Sequence, residues 1–270
     1  MTKAPEIPSA MLPGGVRMPL LGFGTWRLRG SAGYEAVLAA LQVGYRHLDT
    51  ATMYGNEAEV GHALRDSGLD RSEVFITTKL PPGKAGHERK TLTASLRALG
   101  TTYVDLWLVH WPPPARALAP VWREFLSLRG QGLARAAGVS NYSIGQIDRL
   151  IESTGEAPAV DQIPWSPAQY DEGVLEDLRE RGVTLEGYSP LKGTDLGHPV
   201  LTAIAEKHGV TPAQVVLRWH LEHGIAVIPK SSRPERIAAN FDVLRFSLTR
   251  DEVAQIDRLS RCPVPGPPPG

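Results

Sequence analysis

Four side chains in the first 110 residues have the types needed to hand a proton to an oxygen: Asp49, Tyr54, Lys79 and His110. Asp49 and Tyr54 lie five residues apart in "LDTATMYGNE" (48–57), where an apolar run meets an acid and a phenol stands before Gly55, Asn56 and Glu57. Lys79 falls near the end of "VFITTKL" (74–80) and His110 near the end of "VDLWLVHW" (104–111). A free tyrosine, with a pKa of about 10, is a poor acid at neutral pH. A lysine cation beside it favours the phenolate and lowers that pKa. A carboxylate beside the lysine keeps it charged, and an imidazole can orient a substrate oxygen. Together the four read as a proton donor to an oxygen that becomes negative in the transition state. Singly, each has a plainer reading: Asp49 a turn cap, Lys79 a rim charge, His110 a core histidine, Tyr54 a loop aromatic.

A proton on oxygen needs an electron pair on carbon, and no side chain supplies a hydride, so a cofactor must. "IPKSSRPER" (228–236) offers an anion site for one: Lys230, Ser231, Ser232, Arg233 and Arg236 surround a strand-to-helix junction. Pro234 sits near the first helical turn, whose amides attract phosphate. In "GYSPLK" (187–192), Tyr188 adds a face on which a nicotinamide ring could stack.

Eight short apolar runs position these residues: 19–26, 44–51, 74–80, 104–111, 134–141, 158–165, 183–190 and 225–232. Helical patterns separate most of them, among them "AGYEAVLAALQV", "ERKTLTASLRALG" ending in Gly100, "VWREFLSLRGQG", "SIGQIDRLIESTG" with Ser143 as its cap, and "TPAQVVLRWHLEHG" with Pro212 in its first turn. Alternating strands and helices imply a parallel sheet, and eight units in about 250 residues suit an α/β chain closed into a (β/α)8 TIM barrel. Such barrels carry their sites at the carboxyl ends of the strands, where all the residues above fall. A doubly wound open sheet is the runner-up, but in "GFGTWR" Arg27 stands where the third glycine of the dinucleotide fingerprint belongs. No linker divides residues 1–270, which read as one domain with a Pro-rich tail, "PVPGPPPG" (263–270).

Lys plus Arg and Asp plus Glu each total 29, so the formal net charge is zero and no broad field attracts nucleic acid or an anionic membrane. The single Cys262 excludes an internal disulfide and a multi-cysteine metal site. No apolar run has the length of a signal peptide core or a membrane span, which makes a cytoplasmic location the default. "GVSNY" and "GYSPL" both lack the last glycine of the G-x-S-x-G nucleophile elbow. His220 and His223 in "HLEH" have no third metal ligand in view, and no metal is expected.

The chain resembles the aldo-keto reductase family over nearly its whole length, through "LGFGTW", "LDTATMYGNE", "ITTKL", "LVHWP", "GVSNY", "GYSPL" and "VIPKSSRPERIAANFDV" in that order. Within the family it looks most like the short bacterial 2,5-diketo-D-gluconate reductase-type members. The resemblance implies a tetrad of Asp49, Tyr54, Lys79 and His110 with Tyr54 as general acid. "MLPGGVRMP" (11–19) looks like the family's hairpin that closes the barrel bottom. The likeness also implies a nicotinamide held by Ser140, Asn141 and Gln162 and stacked on Tyr188, with Lys230, Ser231, Arg236 and Asn240 on the adenosine end. Lys230 and Arg236 would meet a 2′-phosphate, favouring NADPH (NADP+). Gly24, Thr25, Ser189, Leu191, Ser232 and Arg233 complete the implied cofactor contacts. Trp26, Tyr54, His110 and Trp111 would line a pocket for a small-molecule carbonyl substrate: an aldehyde, ketone, ketoester or keto sugar. A monomer is the family's common form. A protein that holds the cofactor without turnover is the other reading. Departures from the family pattern are Pro81, Asp161, Pro164, Ser166, Lys192 and Ala239.

Overall fold

The computed structural model describes residues 6–260, so the Pro-rich tail and Cys262 lie outside the described residues. The chain opens with an antiparallel hairpin, β1 (Ser9–Leu12) and β2 (Val16–Pro19). Eight parallel strands follow: β3 (Phe23–Gly24), β4 (His47–Asp49), β5 (Phe75–Leu80), β6 (Val104–Val109), β7 (Ala134–Ser140), β8 (Val160–Pro164), β9 (Thr184–Tyr188) and β10 (Ala226–Val227). Each pairs with its sequence neighbour, and Leu21 bridges Val227 to join the first strand to the last. That closure makes a (β/α)8 barrel, as expected. Every residue of β5 and β6 is buried, the pattern of strands covered on both faces.

Around the strands run α1 (Gly30–Val43), α2 (Glu57–Asp66), α3 (Glu88–Leu99), α4 (Ala115–Gly130), α5 (Ile144–Thr154), α6 (Glu172–Glu180), α7 (Pro199–His208), α8 (Pro212–Glu222), α9 (Pro234–Phe241) and α10 (Arg250–Asp257). Local chemistry sets their ends. Ser143 accepts a hydrogen bond from the Gln146 amide and Thr211 one from the Gln214 amide, each in a reciprocal capping box. Gly100 ends α3 at φ 67°, a left-handed cap that needs no side chain. Two helices, α7 and α10, had no counterpart in the sequence reading. A third, α4, begins at Ala115, six residues before the "VWREFLSLRGQG" pattern. Pro120 stays inside it because, in the second turn, it forgoes only one early backbone bond.

The hairpin closes the amino-terminal end of the barrel. Leu12 and Met18 are buried in the core, and the Pro19 carbonyl lies 3.0 Å from Nδ1 of His47 on β4. The opposite, carboxyl-terminal end is left for polar groups.

Candidate active site

The turn after β4 places Tyr54. Thr52–Tyr54 form a single 3-10 turn, and Gly55 reverses the chain at φ 65°. Asn56 then ties three segments together: its Nδ2 donates to the carbonyls of Thr25 (2.9 Å) and Leu28 (2.7 Å), while its Oδ1 accepts from Thr50 Oγ1 (2.8 Å). Buried Glu57 accepts from Thr78 Oγ1 at 2.6 Å and Ser95 Oγ at 3.2 Å. The "GNE" after the tyrosine is therefore a clamp that holds the phenol over the barrel mouth.

Lys79, fully buried on β5, meets that phenol. Its Nζ donates to Asp49 Oδ1 and Oδ2, both at 2.7 Å, to the Thr50 carbonyl at 2.9 Å, and to Tyr54 Oη at 3.4 Å. Burial opposes the ammonium charge, yet Asp49, then Tyr54 and Glu186, outweigh it and raise the lysine pKa. His110 completes the group, its ring 5.8 Å from that of Tyr54. Burial, reinforced by Lys79, lowers its pKa to about 3, so the imidazole is neutral. Its Nδ1 is buried without a hydrogen-bond partner among the described residues, leaving Nε2 as the ring nitrogen open to the cleft.

One expectation is reversed. Lys79 does pull the Tyr54 pKa down, but burial acts first and Asp49 adds to it, so the net shift is upward. The phenol keeps its proton at neutral pH, as a proton donor must before it acts.

Below the lysine lies a residue missed by sequence reasoning. Gln162 Nε2 donates to Asp49 Oδ2 and to Glu186 Oε2, each at 2.8 Å, and Glu186 is fully buried. Glu186 Oε1 lies 3.5 Å from His47 Nε2. Burial, then the Asp49 charge, raises the Glu186 pKa. The signal was present in "LEGYSP": Glu186 precedes Tyr188 by two residues, so both face the same side of β9.

A cleft of about 560 Å³ opens over this layer. Gly24, Ser140, Asn141, Gln162, Tyr188, Ser189, Leu191 and Lys230 line its wall. Trp26 and Trp111, each nearly half exposed, flank the mouth with Tyr54 between the floor and the Trp26 ring, 4.8 Å away. A Cβ at Gly24 would come within 2.8 Å of the Ile228 carbonyl, so glycine permits this strand contact. Asn141 and Ser189, both lining this cleft, hold left-handed backbones (φ 63° and 55°), a conformation asparagine accepts readily and serine adopts at a cost. Tyr188 Oη donates to Asn141 Oδ1 at 2.8 Å, which fixes the tyrosine ring. Thr25 is buried behind the lining, its Oγ1 donating to the Asp49 carbonyl at 2.9 Å. Ser231 is also buried, and Ser232, Arg233 and Arg236 are exposed beside it at the start of α9, with Asn240 half-buried further along. His220 and His223 lie elsewhere: His220 sits with Nδ1 2.8 Å from the Val216 carbonyl and Nε2 3.2 Å from the Trp165 carbonyl, and His223 pairs with Asp257 at 2.8 Å.

The profile of the Aldo/keto reductase family matches residues 20–199 and 195–261 of this chain. The chain belongs to that family. Membership makes it an oxidoreductase acting on carbonyl compounds. It is 42% identical over 266 residues to an aldo-keto reductase of Mycolicibacterium smegmatis, covering 97% of each chain. It is 40% identical over 256 residues to the methylglyoxal reductase DkgA of Escherichia coli K12, covering 93% of each. The crystal structure of a Bombyx mori aldo-keto reductase in complex with NADP superposes with a TM-score of 0.87 at 33% identity, covering 95% of this chain and 94% of that one.

The positions that depart from the family pattern now have places. Asp161 is buried with Oδ1 unpartnered among the described residues, and burial raises its pKa to about 8. Ser166, also buried, donates to the Lys192 carbonyl at 2.8 Å and so fixes the loop that carries Lys192 to the cleft. The Ala239 carbonyl accepts from Gln214 Nε2 at 3.0 Å. Pro164 ends β8, and Pro81 follows β5.

Proposed function

We propose that this aldo-keto reductase uses NADPH to reduce aldehydes and ketones, ketoesters and keto sugars among them, to alcohols, with Tyr54 as the proton donor. The observation that carries the reading is the position of Lys79 Nζ, within hydrogen-bond reach of both Asp49 and Tyr54 in a dry layer under the cleft.

The residues present fit a nicotinamide dinucleotide. Gln162 offers an amide oxygen with no partner among the described residues, in the cleft wall, as an acceptor for a carboxamide. Tyr188 offers a ring held in place by Asn141. Lys230, Arg233 and Arg236 gather positive charge where a phosphate would lie at the start of α9. Lys230 and Arg236 are the groups that would distinguish NADPH from NADH. The bound nicotinamide supplies the hydride.

The chain's residues do the rest. Neutral His110 hydrogen-bonds the carbonyl oxygen through Nε2 and aims it at the phenol. Tyr54 holds its proton until negative charge grows on that oxygen, then transfers it. Lys79 stabilises the phenolate left behind, and Asp49 keeps Lys79 charged and in register. The exclusion of water from Asp49 and Lys79 strengthens each of these interactions. Trp26 and Trp111 form the apolar walls that the substrate meets first.

The test is a set of carbonyl compounds, methylglyoxal included, mixed with purified protein and either NADPH or NADH while nicotinamide absorbance is followed. The expected result is turnover with several aldehydes and a clear preference for NADPH. Tight NADPH binding with no turnover on any carbonyl would replace this reading with that of a cofactor-binding protein.

A further inference from the structure

We propose that Glu186 is a positioning residue for the nicotinamide end of the site: with Asp49 it occupies both amide hydrogens of Gln162, so that the Gln162 oxygen, and not its NH2 group, faces the cleft. The inference rests on the proposed use of a nicotinamide cofactor.

The argument is one of hydrogen counting. A glutamine amide has two N–H donors and one carbonyl acceptor. Gln162 Nε2 has two carboxylate oxygens at 2.8 Å, Asp49 Oδ2 and Glu186 Oε2. Turning the amide over would set its oxygen against two acceptors in a fully buried layer, a severe penalty. One carboxylate alone would fix only one hydrogen. Asp49 is already bound through both its oxygens to Lys79, whereas the one side-chain hydrogen bond of Glu186 among the described residues is that from Gln162. The register of the barrel sets this up, since Gln162 and Glu186 face each other across β8 and β9.

Protonation of Glu186 leaves the arrangement intact. His47 Nδ1 faces the Pro19 carbonyl, which can only accept, so Nδ1 carries the hydrogen and Nε2 a lone pair. That lone pair accepts from Thr77 Oγ1 at 3.1 Å, and Glu186 Oε1, 3.5 Å from Nε2, has no hydrogen-bond partner among the described residues. A proton on the glutamic acid belongs on this Oε1, since Oε2 already accepts from Gln162, so Oε2 remains an acceptor. Burial raises the Glu186 pKa, which favours the protonated form.

A fixed acceptor selects for a donor. Oxidised cofactor carries a carboxamide with N–H groups; its 3-acetylpyridine analogue has a methyl ketone that donates nothing. The experiment measures equilibrium dissociation constants of NADP+ and 3-acetylpyridine adenine dinucleotide phosphate by protein fluorescence, without turnover. The wild type is expected to favour NADP+ by about tenfold, the effect of leaving one buried acceptor unmade. In Glu186→Leu one of the two acceptors that oppose the turned amide is gone, and the preference should fall to within about threefold. Glu186→Gln can still offer an oxygen to Gln162 and should keep the wild-type preference. Equal binding of the two dinucleotides by the wild type overturns the proposal without recourse to any variant, which covers the case of a Leu protein that does not fold. A preference unchanged in a folded Glu186→Leu protein overturns it too. Failure of the wild type to bind either dinucleotide would instead remove the proposed function on which this inference stands.

Discussion

The two sides of the cleft are built on opposite principles. On the β4–β6 side, Asp49 and Lys79 are sealed from water, and every hydrogen of the Lys79 ammonium has a partner before any substrate arrives. On the β10–α9 side, Lys230, Arg233 and Arg236 are exposed and, among the described residues, form no ion pair. The first side holds its charges in place at the expense of desolvation, so its geometry does not need to be rebuilt for each turnover. The second keeps its cations hydrated and available, so their contribution appears only when an anion binds. Substitutions on the first side should therefore affect stability and chemistry together, and those on the second should affect binding alone.

The sharpest way to break that contrast is Lys79→Met. It leaves Asp49 as a buried charge without its cation, which should cost about 3–5 kcal/mol of stability. At about 2–4 °C per kcal/mol for a chain of this size, the thermal midpoint should fall by about 10 °C. Turnover should fall at least about 100-fold. A Lys79→Met protein as stable as the wild type would show that the layer is not held by this pair.

Asp161→Asn sharpens the same point from the other direction, since Asp161 is a buried acid that pairs with no cation among the described residues. Its folded pKa of about 8 stands above the ordinary 3.8, so the native state holds a proton that the unfolded chain has released. Stability from this group is full below about pH 4 and is lost as pH rises toward 8. The wild-type melting temperature should decline over that range, and Asp161→Asn should flatten the decline and raise the pH 8 midpoint by about 4 °C. Melting curves at pH 5 and pH 8 decide it; a variant less stable at pH 8 would contradict the assignment.

Arg236→Ala should have the smallest effect. Losing one charged contact to a phosphate should weaken NADPH binding about tenfold and leave NADH binding unchanged. Stability should stay within about 0.5 kcal/mol, as for other exposed positions. Calorimetric titration with both cofactors tests this, and an equal loss for NADH would move Arg236 away from the 2′-phosphate.

Much of the tetrad was legible because strand ends are. Short apolar runs closing on Asp49, Lys79 and His110 locate the barrel mouth, and the five-residue spacing to Tyr54 leaves room for the Thr52–Tyr54 turn. The sign of the Tyr54 shift was not legible, since it depends on how far burial exceeds the pull of Lys79, and a sequence gives no depth. Glu186 was passed over because the strand was read for its last residues rather than for its inward face, where period two pairs it with Tyr188. The helix α7 escaped because one helix per interval is expected and α8 already fills that between β9 and β10, and α10 because it follows the last strand. Two-residue strands β3 and β10 were read longer, as most of each run is irregular backbone held by a few bridges.

The central claim is that Tyr54 supplies the proton from a site assembled in advance. Its most direct test is Tyr54→Phe, with NADPH affinity by fluorescence and methylglyoxal reduction by nicotinamide absorbance measured on the same preparation. The account predicts an unchanged NADPH dissociation constant and a fall in turnover of about 10²–10⁴-fold. Turnover near the wild-type rate, with the cofactor still bound, would contradict it.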